Sequence, residues 1–212
     1  MDFTEKHSIR DNSPQRTERI KILFQYTVML AGSVVMGMAV PSFLGDTALA
    51  SIANTVTQHF DNPFSLCQTL SERIRLIAYY SLTDWILIAI SFLFAFSILN
   101  YLISDVVLAY AGFRFGFSVS ILYHMLRAPL QEFLIRVSHL VAFAVFKTLI
   151  LICLFVYSCL LTVHSYRLKQ TANHGRASIH MDLLLPLIAC TLTASALIFL
   201  IHTAYGWIIT II

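Results

Sequence analysis

Residues 110–122 read YAGFRFGFSVSIL, and the fold class follows from how this stretch can be accommodated. It is apolar enough to sit in a membrane. Gly112, Gly116 and Ser120 recur at every fourth position, which places them on one face of a helix, and Ala109 extends that face. Between helices in lipid the hydrophobic drive is small, so association depends on close backbone approach, which small residues permit. The same stretch carries Arg114, a charge that a lone membrane helix tolerates poorly. This helix is therefore expected at the centre of a bundle, packed on several sides, with the small-residue face serving packing rather than chemistry.

Composition agrees. Of 212 residues, 58% are hydrophobic and 12% charged, about half the charge of a typical soluble domain. So little charge cannot coat a soluble globule, and several apolar runs are about 20 residues long, the length that crosses a bilayer. The expected class is all-α, a polytopic transmembrane bundle of about five spans, near residues 22–43, 76–99, 102–126, 138–163 and 183–206. A net charge of +3 is too small and too scattered to suggest nucleic acid. Cys153, Cys159 and Cys190 lie in apolar runs, where cysteine behaves as a small hydrophobe. Only Cys67 falls in a polar loop, and the spacing suggests neither a disulfide framework nor a metal centre.

Residues 1–21 form a polar tail holding Lys6, Arg10, Arg16, Arg19 and Lys21. Positive residues beside a span mark its cytoplasmic end, so the N-terminus is expected in the cytoplasm and, after five spans, the C-terminus outside. Asn12-Ser13-Pro14 argues against a long regular helix in the tail, though a short one can run into the first span. Pro41 and Gly45 end that span. Ala48-Leu49-Ala50 looks like a signal-peptidase site, but the apolar run before it is longer than a usual signal core, and a retained anchor is the better reading.

Residues 46–75 form the longest connection. Ala48, Ile52, Val56 and Phe60 recur at four-residue spacing, which predicts a short amphipathic helix on the outer surface, ended by Asn62-Pro63. A second helix is expected within residues 64–75. The turn between the second and third spans is placed at residues 100–105. Arg127, Pro129, Gln131, Glu132 and Arg136 mark a short outer connection. Residues 164–182 are polar, with Arg167, Lys169 and Arg176, and form the second cytoplasmic segment. His164, His174 and His180 lie there, but their spacing fits no structural metal site.

Residues 96–122, FSILNYLISDVVLAYAGFRFGFSVSIL, resemble the stage II sporulation protein M family of bacterial membrane proteins. That family shows a Gly-x-Ser segment, an apolar run, and then Lys-Gly-Phe-x-x-Gly-Phe-Thr-Val-Gly-Phe-Leu. Gly112, Phe113, Gly116, Phe117, Ser118, Val119 and Leu122 fall in register with it. The layout is also similar: a basic tail, one span, an outer amphipathic segment, two close spans and two more. Asn100-Tyr101 stands where the family has Gly-Leu-Pro, Ala111 replaces its Lys, and Ser138-His139 stands near its later Pro-His motif. The resemblance implies a non-enzymatic partner in the bacterial cytoplasmic membrane that works with other membrane or extracytoplasmic proteins, in the family's case cell-wall hydrolases during sporulation.

Three constellations bear on chemistry. Asp84, Arg114 and Lys147 are charges inside apolar runs, each costing about 2.5–3.5 kcal/mol unpaired on insertion scales. Asp84 and Arg114 are equally far from a hairpin turn near residue 99, so they are expected to pair. A register-fixing ion pair is favoured over an ion path. Ser118 with His139 is the only arrangement suggestive of an intramembrane serine protease, and Ser118 points nearly perpendicular to the small-residue face. A transporter subunit working with a separate ATPase is the alternative class. It calls for repeats or broken helices, of which Pro186 is the only hint. The expectation is a membrane scaffold in contact with the lipid bilayer, with no catalytic residue, cofactor or metal.

Overall fold

The structure, a computed structural model, describes residues 12–45, 47–52, 67, 69–97, 99–125, 130–173 and 181–211. Its long elements are α1 (Asn12–Ala39), α2 (Leu70–Phe94), α3 (Asn100–Met125), α4 (Leu130–Asn173) and α5 (Met181–Ile209), with a 3-10 turn at Val40–Phe43 after α1. Residues 47–52 are also helical. Five stretches are long and apolar enough to cross a membrane: Arg19–Phe43, Leu70–Phe94, Asn100–Tyr123, Val137–Tyr166 and Leu184–Ile209. The chain is an all-α, polytopic helical bundle. Its outer faces carry large apolar side chains such as Phe24, Leu93, Leu185 and Leu200, each more than half exposed, which suits lipid as the surrounding medium.

The helix ends follow local chemistry, and several differ from the sequence expectations. α1 starts at Asn12 and runs through Pro14. Proline is tolerated in a first turn, where its missing N–H has no intrahelical acceptor in any case. At the other end, Pro41 cannot continue an α-helix. The chain tightens into the 3-10 turn, closed by Leu44 N–H donating to the Pro41 carbonyl at 3.2 Å. α2 is started by a capping box: Thr69 Oγ1 accepts from Glu72 N–H at 3.3 Å and Thr69 N–H donates to Glu72 Oε2 at 3.2 Å. This satisfies two of the donors a helix start leaves open. Of the expected outer amphipathic helix, residues 47–52 are helical, while Val56, Phe60 and Asn62-Pro63 lie outside the described residues.

The turn between the second and third spans lies earlier than residues 100–105. Helix α2 ends at Phe94 and α3 begins at Asn100. Ser97 sets this position. Its N–H donates to the Phe94 carbonyl at 2.9 Å, and its hydroxyl accepts from Leu99 N–H at 3.1 Å, a local bond that competes with helix continuation. α4 also exceeds its expected span, running helical to Asn173 through residues read as the start of a polar connection. Helices can extend past a bilayer when water satisfies their flanks. α5 runs unbroken through Pro186. That proline lies close to the helix start, where one missing rung does little to the span.

α1 lies alongside α3 in parallel, as first and third spans must. Gln25 Nε2 donates to Asp105 Oδ2 at 2.7 Å near one end, Tyr26 packs on Leu108, and farther along Gly116 meets Val34 and Met38. The remaining core is built between α2, α3, α4 and α5 from residues including Ile88, Ala111, Leu154 and Ile198. Trp85 of α2 stacks on Phe199 of α5 at 5.9 Å between ring centroids, and its indole N–H donates to the Ser195 carbonyl at 3.1 Å. α4 joins α5 through Tyr157, whose hydroxyl lies 3.1 Å from Thr191 Oγ1, and through Tyr205 edge-on to Phe146.

Candidate functional site

The small-residue face of α3 is a helix–helix contact. Gly112 and Gly116 are buried, while Ala109 and Ser120 are partly buried. A β-carbon at Gly116 would lie 3.0 Å from the Val34 carbonyl carbon and 3.1 Å from Met38 N, and one at Gly112 would meet Leu30 and Ser33. The contact is reciprocal: a β-carbon at Gly37 of α1 would stand 2.9 Å from Phe117 N. Backbone meets backbone here, so each missing side chain is what allows the approach.

On the other side of α3, four ionisable residues from four helices converge. Asp84 of α2 and Arg114 of α3 flank the hairpin turn on antiparallel helices. Each Cα–Cβ bond tilts toward its own helix N-terminus. Arg114 therefore leans toward the turn and Asp84 away from it, and the long arginine side chain closes the remaining offset. Arg114 Nη2 donates to Asp84 Oδ1 at 3.0 Å. The second carboxylate oxygen lies 3.0 Å from His202 Nε2 of α5. An ionised carboxylate only accepts, so with Asp84 charged Nε2 carries the proton. Asp84 and His202 are buried, at 2% and 4% exposure, whereas the Arg114 side chain remains 30% exposed.

Lys147 of α4 completes the group without joining the ion pair. Its ammonium lies 5.9 Å from the centroid of the Phe143 ring. With Asp84, Arg114 and Ser118 it lines a cavity of about 30 Å³ between α3 and α4, large enough to admit water.

The other candidates separate. The Ser118 hydroxyl donates to the Arg114 carbonyl of its own helix at 2.8 Å, so its proton is directed at backbone and not at a base. His139, partly buried on α4, has no hydrogen bond to Ser118. His164 lies within α4, while His174 and His180 lie outside the described residues. Among the described residues, no group of three His, Cys, Asp or Glu side chains is placed to hold a metal, and Cys153, Cys159 and Cys190 are free thiols.

Sequence reasoning missed two features. His202 was not singled out, although an ionisable residue inside the last apolar run carries the same signal as Asp84. The other is a polar contact between α1 and α4, where the Tyr26 hydroxyl lies 2.7 Å from Thr162 Oγ1 and both residues are fully buried. Tyrosine and threonine are common in apolar helices, so nothing in the sequence marks this pair. Compared with protein-family models, with curated proteins and with solved structures, the chain matches none.

Proposed function

We propose that this chain is a non-enzymatic scaffold of a bacterial cytoplasmic membrane, N-terminus in the cytoplasm and C-terminus outside, that positions partner proteins at the membrane. The observation that carries the reading is the inward closure of its polar groups. Asp84 is held from two sides by Arg114 and His202, and the Ser118 hydroxyl is occupied by its own helix. Such an arrangement fixes helix register and leaves these groups without a reacting partner. The resemblance of residues 96–122 to the stage II sporulation protein M family supplies the partner class, cell-wall hydrolases, and the link to sporulation. The tagged full chain, purified from native membranes, is expected to bring down wall hydrolases, and their absence from a purification that retains other membrane partners argues against the reading.

One observation favours a second reading, a membrane subunit of a transporter. Four ionisable side chains meet inside the apolar bundle, and charged groups at such depth mark ion or substrate paths in many membrane proteins. Co-purification with an ATPase, together with loss of solute flux in Asp84→Asn, distinguishes this from the scaffold.

A further inference from the structure

We propose that the cavity between α3 and α4 binds a small monovalent anion of the halide class, held by Lys147 and Arg114. The argument begins with charge. Both oxygens of Asp84 are engaged, one by Arg114 and one by His202. Lys147 and Arg114 are two cations facing a single carboxylate, and one positive charge is left over with His202 neutral. Among the described residues, the charged or titratable groups facing this point are Asp84 on α2, Arg114 on α3, Lys147 on α4 and His202 on α5, and none of them is a second carboxylate.

Lysine near the end of a span escapes this problem by snorkelling. Lys147 stands ten residues inside the apolar stretch that begins at Val137. That is about 15 Å of helix, more than its side chain can reach. The Phe143 ring at 5.9 Å offers only a weak quadrupole attraction. A mobile counterion would supply the missing compensation.

The cavity fits one. Its volume of about 30 Å³ has room for a small ion, and its largely apolar lining disfavours the strongly hydrated divalent sulfate and phosphate. Donors are available: the ammonium carries three N–H groups, and a guanidinium has five, of which one Nη2 hydrogen serves Asp84. Phe115, Phe143 and Leu151 contribute apolar walls, which strengthen attraction between unlike charges and favour the more easily dehydrated chloride and bromide over fluoride. The Arg114 side chain remains 30% exposed, so the cavity is not fully closed on that side.

The test uses the full-length protein in detergent, exchanged into sodium gluconate and titrated with sodium chloride at constant ionic strength. The unfolding temperature is expected to rise saturably, by roughly 5–10 °C at a hundredfold excess over the dissociation constant. Bromide should reproduce the rise and sulfate should not. Lys147→Met should abolish the chloride response, and Lys147→Arg should retain it. Equal unfolding temperatures in chloride and gluconate, an equal response to sulfate, or an unchanged chloride response in Lys147→Met would each overturn the proposal. Should Lys147→Met fail to accumulate, radiolabelled chloride binding to the wild-type chain decides. One saturable site per chain supports the proposal, and its absence refutes it.

Discussion

Removing Asp84 should damage the protein more than removing Arg114, and removing both should cost less than the two single losses combined. Asp84 is 2% exposed and accepts bonds from two helices. Asp84→Ala leaves Arg114 and Lys147 without a carboxylate and takes the acceptor from His202. Breaking a buried pair from one side costs about 3–5 kcal/mol. Arg114→Ala is milder, because the carboxylate keeps His202 and still faces Lys147. The loss is one charged hydrogen bond at a partly exposed position, about 1–3 kcal/mol. In the double variant no guanidinium is stranded, so the pair should show a coupling of about 1–3 kcal/mol. Asp84→Asn, which keeps acceptor capacity without the charge, should fall between wild type and Asp84→Ala. Reversible unfolding in mixed micelles, titrated with a denaturing detergent, measures all four. Simple additivity, or an Arg114→Ala protein less stable than Asp84→Ala, would refute the central role assigned to Asp84.

The α1–α3 contact makes Gly116→Ala and Gly37→Ala destabilising by about 1–3 kcal/mol, since the added carbon meets backbone that cannot swing aside. Gly32→Ala, with nothing within 4 Å of the new carbon, should instead be neutral or stabilise by up to about 1 kcal/mol through helix propensity; the same unfolding assay compares all three. Thr69→Ala removes the capping box of α2 and should cost about 1 kcal/mol, read as faster hydrogen exchange over the first turn of that helix. Ser118→Ala should leave partner recovery unchanged, because its hydroxyl bonds only its own helix among the described contacts; loss of a measurable cleavage in a variant that still accumulates would favour the protease reading. A single cysteine introduced within residues 170–177 should react with impermeant thiol reagents from the cytoplasmic side alone, and labelling in intact cells would reverse the orientation.

The sequence by itself determined the medium and the helices. Low charge and apolar runs of bilayer length leave little choice, because in lipid every backbone polar group must be satisfied within a helix or a closed barrel. It also determined that Asp84 and Arg114 could meet, since distance from a hairpin turn along two rigid helices is a count of residues. The four-residue recurrence of Gly112 and Gly116 marked a packing face because small residues are useful only where another backbone comes close. The end of the first span was legible at Pro41, whereas Pro14 lies inside the first turn of α1 and at Ser97 one local hydrogen bond moved the turn. What faces what around the bundle was decided by the tertiary structure. That Gly37 answers Gly116, that Tyr26 meets Thr162, and that His202 rather than Lys147 takes the second oxygen of Asp84 all depend on the rotation and neighbours of each helix. Those are set by summed side-chain contacts among five apolar surfaces, each similar to the others when read one residue at a time.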